Sequence, residues 1–291
     1  MTKVWLITGS AHGLGESIAR AAIEAGDRVV ATARRPAELQ PLLETFGENL
    51  RPFALDVTDE AAAKAAVDFA VESFGRLDIL VNNAGYGQFL PFEQASLADF
   101  RAQIETNLFG VVNTTHAALP VMRAQRSGHI INISSIGGRV TSPGMAAYQS
   151  AKWAVSGFSE VIAKETAAFG IHTISVEPGS IRTNWGKVAR GDVPPFLPDY
   201  QTSMGAMADL LKQVIGHETG DPDRIAAVIL DLSRRDDLPD HLVLGTDALT
   251  FLKEADEKRL KEGAAWEAIS RSIDFDDADF SAIGRFGKLH G

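Results

Sequence analysis

Short apolar segments rich in β-branched residues alternate along this chain with longer alanine-rich segments of helical periodicity. The short segments predict seven β-strands, at residues 4–8, 29–33, 52–55, 79–81, 129–133, 173–176 and 242–244. The longer segments predict helices at residues 16–25, 60–74, 100–122 and 148–169. Because strands separated by helices pair in parallel through right-handed crossovers, this order predicts an α/β protein. We expect a doubly wound parallel sheet of about seven strands, with helices on both faces.

The composition limits the kinds of protein this chain can be. Its 291 residues suffice for one large domain, with a core at about 3–245, a loop-rich segment at 184–220 and a C-terminal helical tail at 246–291. The 28 basic and 38 acidic residues give a formal net charge of −10, which argues against a nucleic-acid-binding surface. The absence of cysteine excludes disulfides, thiolate metal sites and a cysteine nucleophile. No metal site is predicted.

The N-terminus predicts the location of the protein. The first residues enter a strand directly, without the features of a secretory signal. No apolar run approaches the roughly 20 residues needed to cross a bilayer. We therefore expect a soluble, cytoplasmic protein that does not bind membranes and whose ligands are small molecules.

A glycine-rich turn follows the first predicted strand. Gly9, Gly13 and Gly15 allow a sharp turn and the close approach of a pyrophosphate to the N-terminus of the next helix. A glycine-rich turn alone is often only a tight strand-to-helix connection. Its position directly after an N-terminal strand favours dinucleotide binding by a Rossmann-type sheet.

The end of the second predicted strand bears on the choice of cofactor. An acidic residue there would bind the adenosine ribose hydroxyls and select NAD, whereas this chain has Arg34 and Arg35. A solvated charged turn is the structural alternative. Since the carboxylate is missing and His12 adds a further donor, the sequence favours NADP(H), with NAD(H) as the alternative.

Polar residues end the third and fourth predicted strands. Asp56 is placed to accept a hydrogen bond from the adenine amino group, or to cap the next helix. Asn82 and Asn83 lie where the sheet order should reverse. Buried asparagine amides often hold loops by binding backbone groups, so a structural role is at least as well supported for them as a ligand contact.

Tyr148 and Lys152 form the pair most informative about chemistry. Residues four apart lie on one helical face. A free tyrosine has a pKa of about 10, so a nearby cation is needed to stabilise its phenolate near neutral pH. We expect Lys152 to lower the pKa of Tyr148, which would then act as a general acid or base. Taken alone, such a pair is much more often part of a solvated helix face, and the other segments of the chain reverse this preference.

The chain resembles the short-chain dehydrogenase/reductase family in six motifs, spread in the family's order over roughly residues 3–245. They are TGSAHGLG at 8–15, NNAG at 82–85, NLFG at 107–110, NISSIGG at 132–138, YQSAK at 148–152 and PGSIRT at 178–183. The resemblance implies an oxidoreductase of the carbonyl reductase or alcohol dehydrogenase type. It would transfer hydride between NADP(H) and a ketone, an aldehyde or a secondary alcohol. An NAD(H)-dependent dehydrogenase and a noncatalytic dinucleotide-sensing protein are the alternatives.

The resemblance also implies a catalytic tetrad of Asn107, Ser135, Tyr148 and Lys152. Ser135 would donate a hydrogen bond to the substrate oxygen; Ser134 is its rival, and alternation along a strand points the two to opposite faces. Asn107 would position a water that links Lys152 to solvent. The structural alternative for Asn107 is an amide satisfied by backbone carbonyls.

Together, the motifs predict a set of cofactor-binding residues. In the family, the PGSIRT motif lies beside the nicotinamide, with the last threonine holding the carboxamide. The full set is Gly9, Ser10, His12, Gly13, Leu14, Gly15, Arg34, Arg35, Asp56, Val57, Asn83, Ala84, Gly85, Tyr148, Lys152, Pro178, Gly179, Ile181 and Thr183. Leu14 departs from the isoleucine that is commoner there.

The segment 184–220 corresponds to the substrate-covering loop of the family. Its large side chains suit an apolar carbonyl substrate, or else form a small satellite core beneath a long connection; they are Trp185, Phe196, Tyr200, Met204 and Met207. Family members usually assemble through helices corresponding to 100–122 and 148–169. We therefore expect a homodimer or homotetramer.

Overall fold

The computed structural model describes residues 2–191, 194–279 and 281, without the side chains of Lys187 and Arg190. The strands are β1 (Val4–Ile7), β2 (Arg28–Ala33), β3 (Leu50–Ala54), β4 (Ile79–Asn82), β5 (Gly128–Ile133), β6 (Ile171–Pro178) and β7 (His241–Leu244). The helices are α1 (Gly13–Glu24), α2 (Gln40–Phe46), α3 (Glu60–Phe74), α4 (Leu97–Ile104), α5 (Gly110–Gln125), α6 (Ala146–Thr166), α7 (Trp185–Arg190), α8 (Gln201–Val214), α9 (Pro222–Leu232) and α10 (Thr246–Arg271).

The strands form one parallel sheet in the order β3-β2-β1-β4-β5-β6-β7. This confirms the predicted α/β, doubly wound, Rossmann-type fold of seven strands. The chain order reverses between β1 and β4, and ligands of such sheets bind at the carboxyl ends of the strands beside this reversal. The glycine-rich turn after β1 and the NNAG motif at the end of β4 both lie there.

Side chains of the strands alternate between two hydrophobic cores, one on each face of the sheet. Trp5 and Ile7 pack into one core with Ile18 of α1, whereas Leu6 packs into the other with Met122 of α5. Burying an isoleucine or leucine completely contributes roughly 1.5 to 3 kcal/mol. Burial on both faces explains why these strands are apolar throughout. Pro52 is accommodated because β3 lies at the edge of the sheet.

Two segments differ from the expected helices. The helix predicted at 100–122 is interrupted by a π-helical segment, Glu105–Phe109, between α4 and α5. The segment 184–220, predicted to be rich in loops, contains α7 and α8. Its prolines lie between these helices, and Pro198 opens a short 3-10 turn ahead of α8. Proline thus separates and starts these helices without preventing them.

The chain divides into two compact units, the first ending at Phe251 and the second beginning at Leu252, within α10. The second unit contains most of α10 and the part of the tail after it, up to Asp279, together with Ser281. Residues 282–291 of the predicted tail lie outside the described residues. Among the helices described, none has a stretch long and apolar enough to span a membrane.

Candidate active site

The glycine-rich turn forms a cradle at the N-terminus of α1. Gly9 and Gly13 have φ values of +67° and +59°, a region that L side chains rarely adopt. A Cβ on Gly15 would overlap the carbonyl oxygen of Gly9 and lie 2.5 Å from Nδ2 of Asn83. His12 precedes α1 and makes no side-chain capping hydrogen bond. The close backbone approach and the free helix terminus fit a pyrophosphate group.

Residues at the end of β4 hold this cradle in place. The hydroxyl of Thr8 accepts hydrogen bonds from the backbone N–H groups of Asn83 and Ala84, both at 2.9 Å. The Asn83 amide donates to the carbonyls of Thr8 and Gly9. Asn82 is buried and donates to Thr115 and Asn132. Both asparagines therefore have the structural role considered for them.

Ser10 also supports the turn. Its hydroxyl is fully buried and donates to the carbonyl of Ile7 at 2.7 Å. It also accepts from the backbone N–H of Thr32 at 3.3 Å. Its side chain thus connects the glycine-rich turn to β1 and β2, although the sequence predicted a cofactor contact for this residue. A Ser-to-backbone bond of this kind could not be distinguished from a ligand contact in the sequence.

The two arginines after β2 differ in their partners. Arg35 forms a salt bridge with Glu38, with its Nε 2.8 Å from the carboxylate. Arg34 is exposed and makes no salt bridge with any residue in the described ranges. Its charge contributes to lowering the pKa of Asp56, for which the largest cause is the hydrogen bond from the Thr58 backbone. Arg34 is therefore the cation left available at this end of the cradle.

Asp56 and its neighbour begin the connection from β3 to α3. One carboxylate oxygen of Asp56 accepts from both the backbone N–H and the hydroxyl of Thr58. The cap of α3 is Asp59 instead, which accepts from the N–H of Ala62. Val57 is buried, and a Cβ on Gly110 would lie 2.5 Å from its side chain. Asp56 thus forms a turn and remains exposed at the sheet edge.

Ser135, Tyr148 and Lys152 come together at the carboxyl end of β5. Ser135 lies close enough to Tyr148 for its hydroxyl to act on the phenol as a hydrogen-bond donor that lowers the pKa of Tyr148. Ser135 also accepts from the backbone N–H of Gly137 at 3.0 Å. Lys152 is 4% exposed, and its Nζ donates to the carbonyl of Ile133 at 2.7 Å. The same Nζ lies 5.7 Å from the centroid of the Tyr148 ring.

Burial controls the ionisation of this group. It raises the pKa of Tyr148 to about 12, while the hydrogen bond with Ser135 acts in the opposite direction. It lowers the pKa of Lys152 to about 8. The expectation that Lys152 lowers the pKa of Tyr148 is therefore not met. The amine is directed at a backbone carbonyl, and desolvation of the phenol is the larger effect.

Ser134 lies on the other side of the strand end. Its buried hydroxyl donates to the carbonyl of Lys152 at 3.1 Å and lies 3.0 Å from that of Ser156. Alternation along β5 thus separates the two serines as expected. Ser134 supports the backbone of α6, and Ser135 is the serine beside Tyr148.

Asn107 lies in the π-helical segment and is completely buried. Its amide oxygen accepts from the N–H of Tyr86, and its Nδ2 donates to the carbonyls of Tyr86 and Gln103. A Cβ on Gly85 would lie 2.5 Å from that amide oxygen and 3.6 Å from Nζ of Lys152. Asn107 therefore fixes the chain after β4 against the lysine. Its amide makes the backbone contacts of the structural alternative.

The PGSIRT motif folds back towards the cradle. The backbone of Ile181 pairs with that of Gly220, and a Cβ on Gly13 would lie 3.3 Å from Thr183. Ser180 donates to the carboxylate of Asp247 through both its N–H and its hydroxyl. A side chain on Gly179 would overlap that carboxylate. Asp247 was not identified from the sequence, because nothing local connects it to this turn.

Two of the large side chains in segment 184–220, which we call the lid, pack against the body of the protein. Met204 is buried against Gly144 and Phe89, and Phe196 packs on Phe89 with ring centroids 5.8 Å apart. The hydroxyl of Tyr200 donates to Glu93 at 2.7 Å. Met204 and Phe196 therefore form the satellite core considered for the segment, whereas Tyr200 binds at the surface.

Comparisons with known proteins agree with this arrangement. The family model for short chain dehydrogenases matches residues 3–193. Oxidoreductase BOA17 of Botryotinia fuckeliana is 45% identical over 271 residues, covering 93% of this chain and 98% of the relative. A short-chain dehydrogenase from Streptomyces avermitilis superposes with a TM-score of 0.86 at 37% identity, covering 94% of this chain and 100% of the other.

Two further solved structures contain a cofactor. ElxO with NADP bound has a TM-score of 0.72 at 29% identity, covering 86% of this chain and 100% of the other. A 3-ketoacyl-(acyl-carrier-protein) reductase from Brucella melitensis, complexed with NADH, has a TM-score of 0.72 at 25% identity. It covers 83% of this chain and 96% of the other.

Proposed function

Since the chain belongs to the short-chain dehydrogenase/reductase family and is an oxidoreductase that uses a nicotinamide dinucleotide, we propose that it reduces an apolar ketone or aldehyde with NADPH. The supporting observation is the position of Tyr148. Its hydroxyl lies beside that of Ser135 at the carboxyl end of the sheet, on the edge that also holds the glycine cradle.

The protonation state of Tyr148 favours reduction. With a pKa of about 12, the phenol keeps its proton at neutral pH, which is the form that donates to a carbonyl oxygen. The bound cofactor would supply the hydride. Ser135 would donate a hydrogen bond to the same oxygen as negative charge develops on it. The reverse reaction, oxidation of a secondary alcohol, uses the same residues.

Lys152 and Asn107 have supporting roles in this proposal. The amine of Lys152 would bind the nicotinamide ribose and keep a positive charge in the buried site beside Tyr148. Asn107 positions the chain beside Lys152 and a water that returns the proton from solvent. A largely dry site needs such a route, because each turnover consumes one proton.

The preference for NADP(H) rests on Arg34. It is exposed and forms no salt bridge with the rest of the described chain, whereas Arg35 is already bound to Glu38. A 2′-phosphate would find a cation at Arg34 and no carboxylate at the end of β2. Cofactors differ among solved relatives, since ElxO holds NADP and the Brucella reductase NADH. NAD(H) is therefore the alternative cofactor.

Replacing Arg34 by alanine is expected to weaken NADPH binding about tenfold to a hundredfold and to leave NADH binding nearly unchanged, because a charge-assisted hydrogen bond contributes about 1.5 to 3 kcal/mol. Fluorescence titration of both cofactors measures this. Arg35→Ala is the matched control, with an expected change below about threefold. Equal affinities for NADPH in the wild type and Arg34→Ala would contradict the role of Arg34.

Turnover is the direct test of the proposed activity. A panel of apolar ketones, aldehydes and secondary alcohols, each assayed with both cofactors, should show NADPH-dependent reduction. The alternative of a noncatalytic dinucleotide-sensing protein predicts tight cofactor binding and no turnover across the panel. Competent side chains at Ser135, Tyr148 and Lys152 favour the enzyme.

We further propose a homodimer or homotetramer assembled through the helical segments around α5 and α6. Phe109, Trp153 and Val161 expose 45%, 40% and 53% of their surface on these segments, which a partner subunit would cover. Sedimentation equilibrium should give a mass two or four times that of the chain. Phe109→Asp should shift the equilibrium towards the monomer, whereas a wild-type monomer at micromolar concentration would contradict the assembly.

A further inference from the structure

Trp185 is the first residue of α7, and its indole ring lies against the ring of Tyr148. The ring centroids are 5.0 Å apart and the planes are inclined by 55°. Its backbone N–H donates to the hydroxyl of Thr183 at 3.2 Å. The other large side chains of the lid described above pack into the satellite core or bind at the surface. Trp185 is thus the lid side chain that reaches the phenol.

Gly87 provides the space in which the indole lies. A Cβ at this position would be 2.7 Å from Cζ2 of Trp185 and 3.3 Å from Cδ2 of Tyr148. The first distance is too short for any real Cβ, so an alanine would displace the indole. The second is tight and requires only a small adjustment of the phenol ring. Glycine at position 87 therefore specifically accommodates Trp185.

The rings of Trp185 and Tyr148, inclined by 55°, form a corner. Trp185 exposes 36% of its surface, so one part of the indole is not covered by the lid. Aromatic side chains prefer offset or edge-to-face contact with other planar groups, and such pairs contribute about 0.5 to 1.5 kcal/mol beyond the area they bury. A flat group attached to the carbonyl carbon would fill this corner while the oxygen contacts Tyr148 and Ser135.

We propose that Trp185 is a specificity-determining residue, which stacks on a planar aryl or conjugated group of the carbonyl substrate, and that Gly87 holds the indole in position. This inference rests on the proposed reductase function and names the substrate class. It predicts that aryl ketones are favoured over saturated ketones of the same size, and that both residues are needed for this preference.

The test is the ratio of kcat/KM for acetophenone to that for cyclohexyl methyl ketone, measured with NADPH. The two ketones differ in the planarity of one six-membered ring, and their intrinsic difference in reactivity cancels when a variant is compared with the wild type. Trp185→Ala should lower the ratio about threefold to tenfold, as expected for the loss of one stacking contact. Trp185→Phe should retain most of it.

Gly87→Ala provides a second variant that keeps the tryptophan. It should lower the ratio as Trp185→Ala does, yet have no further effect in the Trp185→Ala background, because the two changes act through one contact. Leu210→Ala removes another exposed apolar side chain of the lid and should leave the ratio unchanged. An unchanged ratio in both Trp185→Ala and Gly87→Ala would overturn the inference.

A binding measurement separates this inference from the proposed function. Calorimetry of the protein–NADPH complex with 1-phenylethanol and 1-cyclohexylethanol reports the same preference without turnover. If neither ketone is reduced but the aryl alcohol binds more tightly in a Trp185-dependent manner, the proposed function fails and the aromatic subsite stands. If both ketones are reduced with one ratio in every variant, the function stands and the inference fails.

Discussion

Replacing Tyr148 by phenylalanine is expected to lower kcat for carbonyl reduction by about 10²- to 10⁴-fold, the usual contribution of a general acid. The change removes the hydroxyl that lies beside Ser135 and keeps the ring that packs against Trp185. Because the ring remains, the fold and the affinity for NADPH should change little. Steady-state kinetics on a ketone from the panel and a fluorescence titration of NADPH measure the two effects separately.

Tyr200→Phe is the matched control for this loss. It also removes a tyrosine hydroxyl, but one that donates to Glu93 at the protein surface. Turnover should stay within about twofold of the wild type. A Tyr148→Phe enzyme that retained more than a tenth of wild-type kcat would show that another group donates the proton. In that case Ser135 would be the next residue to replace.

The fold was predictable because the signal for each strand is local. Residues such as Leu6, Val30 and Ile130 are apolar on strands buried from both faces, and glycines close several of the helices that follow. The order of strands then follows from general rules of chirality and connection. The strand ends differ from the predicted bounds by one or two residues.

The interruption at Asn107 could not be predicted in the same way. A π-helical segment adds one residue to a turn, while the apolar pattern on either side remains helical. The amide of Asn107 binds the backbone of Tyr86, which is distant in sequence. The stability of the π-helical segment thus depends on a tertiary contact. Asp247 was missed for the same reason, since it binds Ser180 from 67 positions away.

The grouping of Ser135, Tyr148 and Lys152 was implied by the resemblance to the family, and the structure places them together. The direction of the shift in the Tyr148 pKa was predicted wrongly, because we expected Lys152 to lower this pKa and burial raises it. A sequence shows which charges are neighbours, but not how far each group is removed from water. Here desolvation outweighs the influence of Ser135, so the phenol becomes a weaker acid. The catalytic roles themselves stay predictions until turnover is measured.

The second large effect concerns stability, and it arises from Lys152. Its amine is almost fully buried, its titratable neighbour is Tyr148, and burial lowers its pKa from 10.5 to about 8. A depressed pKa destabilises the folded state while the amine is protonated. This loss of stability is therefore absent above about pH 10.5, the pKa of the amine in the unfolded chain. It is fully developed once the pH has fallen below about 8, the pKa of the amine in the folded protein.

Replacing Lys152 by methionine removes this penalty along with the cation that the proposed mechanism needs. The variant should lose turnover. Its free energy of unfolding should also change less with pH than that of the wild type, because the buried amine is gone. Each unit of pKa shift corresponds to about 1.36 kcal/mol. Between pH 7 and pH 10, the free energy of unfolding of the wild type should rise by roughly 2 to 3 kcal/mol relative to Lys152→Met. Urea unfolding at both pH values measures this difference.

Lys164→Met controls for the loss of a lysine from the same helix. This side chain is exposed, so the variant should keep the pH dependence of the wild type. Tyr148, whose pKa of about 12 keeps it protonated in the folded state, is present in all three proteins, so its ionisation in the unfolded chain at about pH 10 cancels from the comparison. If the free energies of unfolding of the wild type and Lys152→Met changed with pH in parallel, the amine of Lys152 would be solvated in solution. The cation would then not be held in a dry site beside Tyr148, and its proposed role would have to be revised.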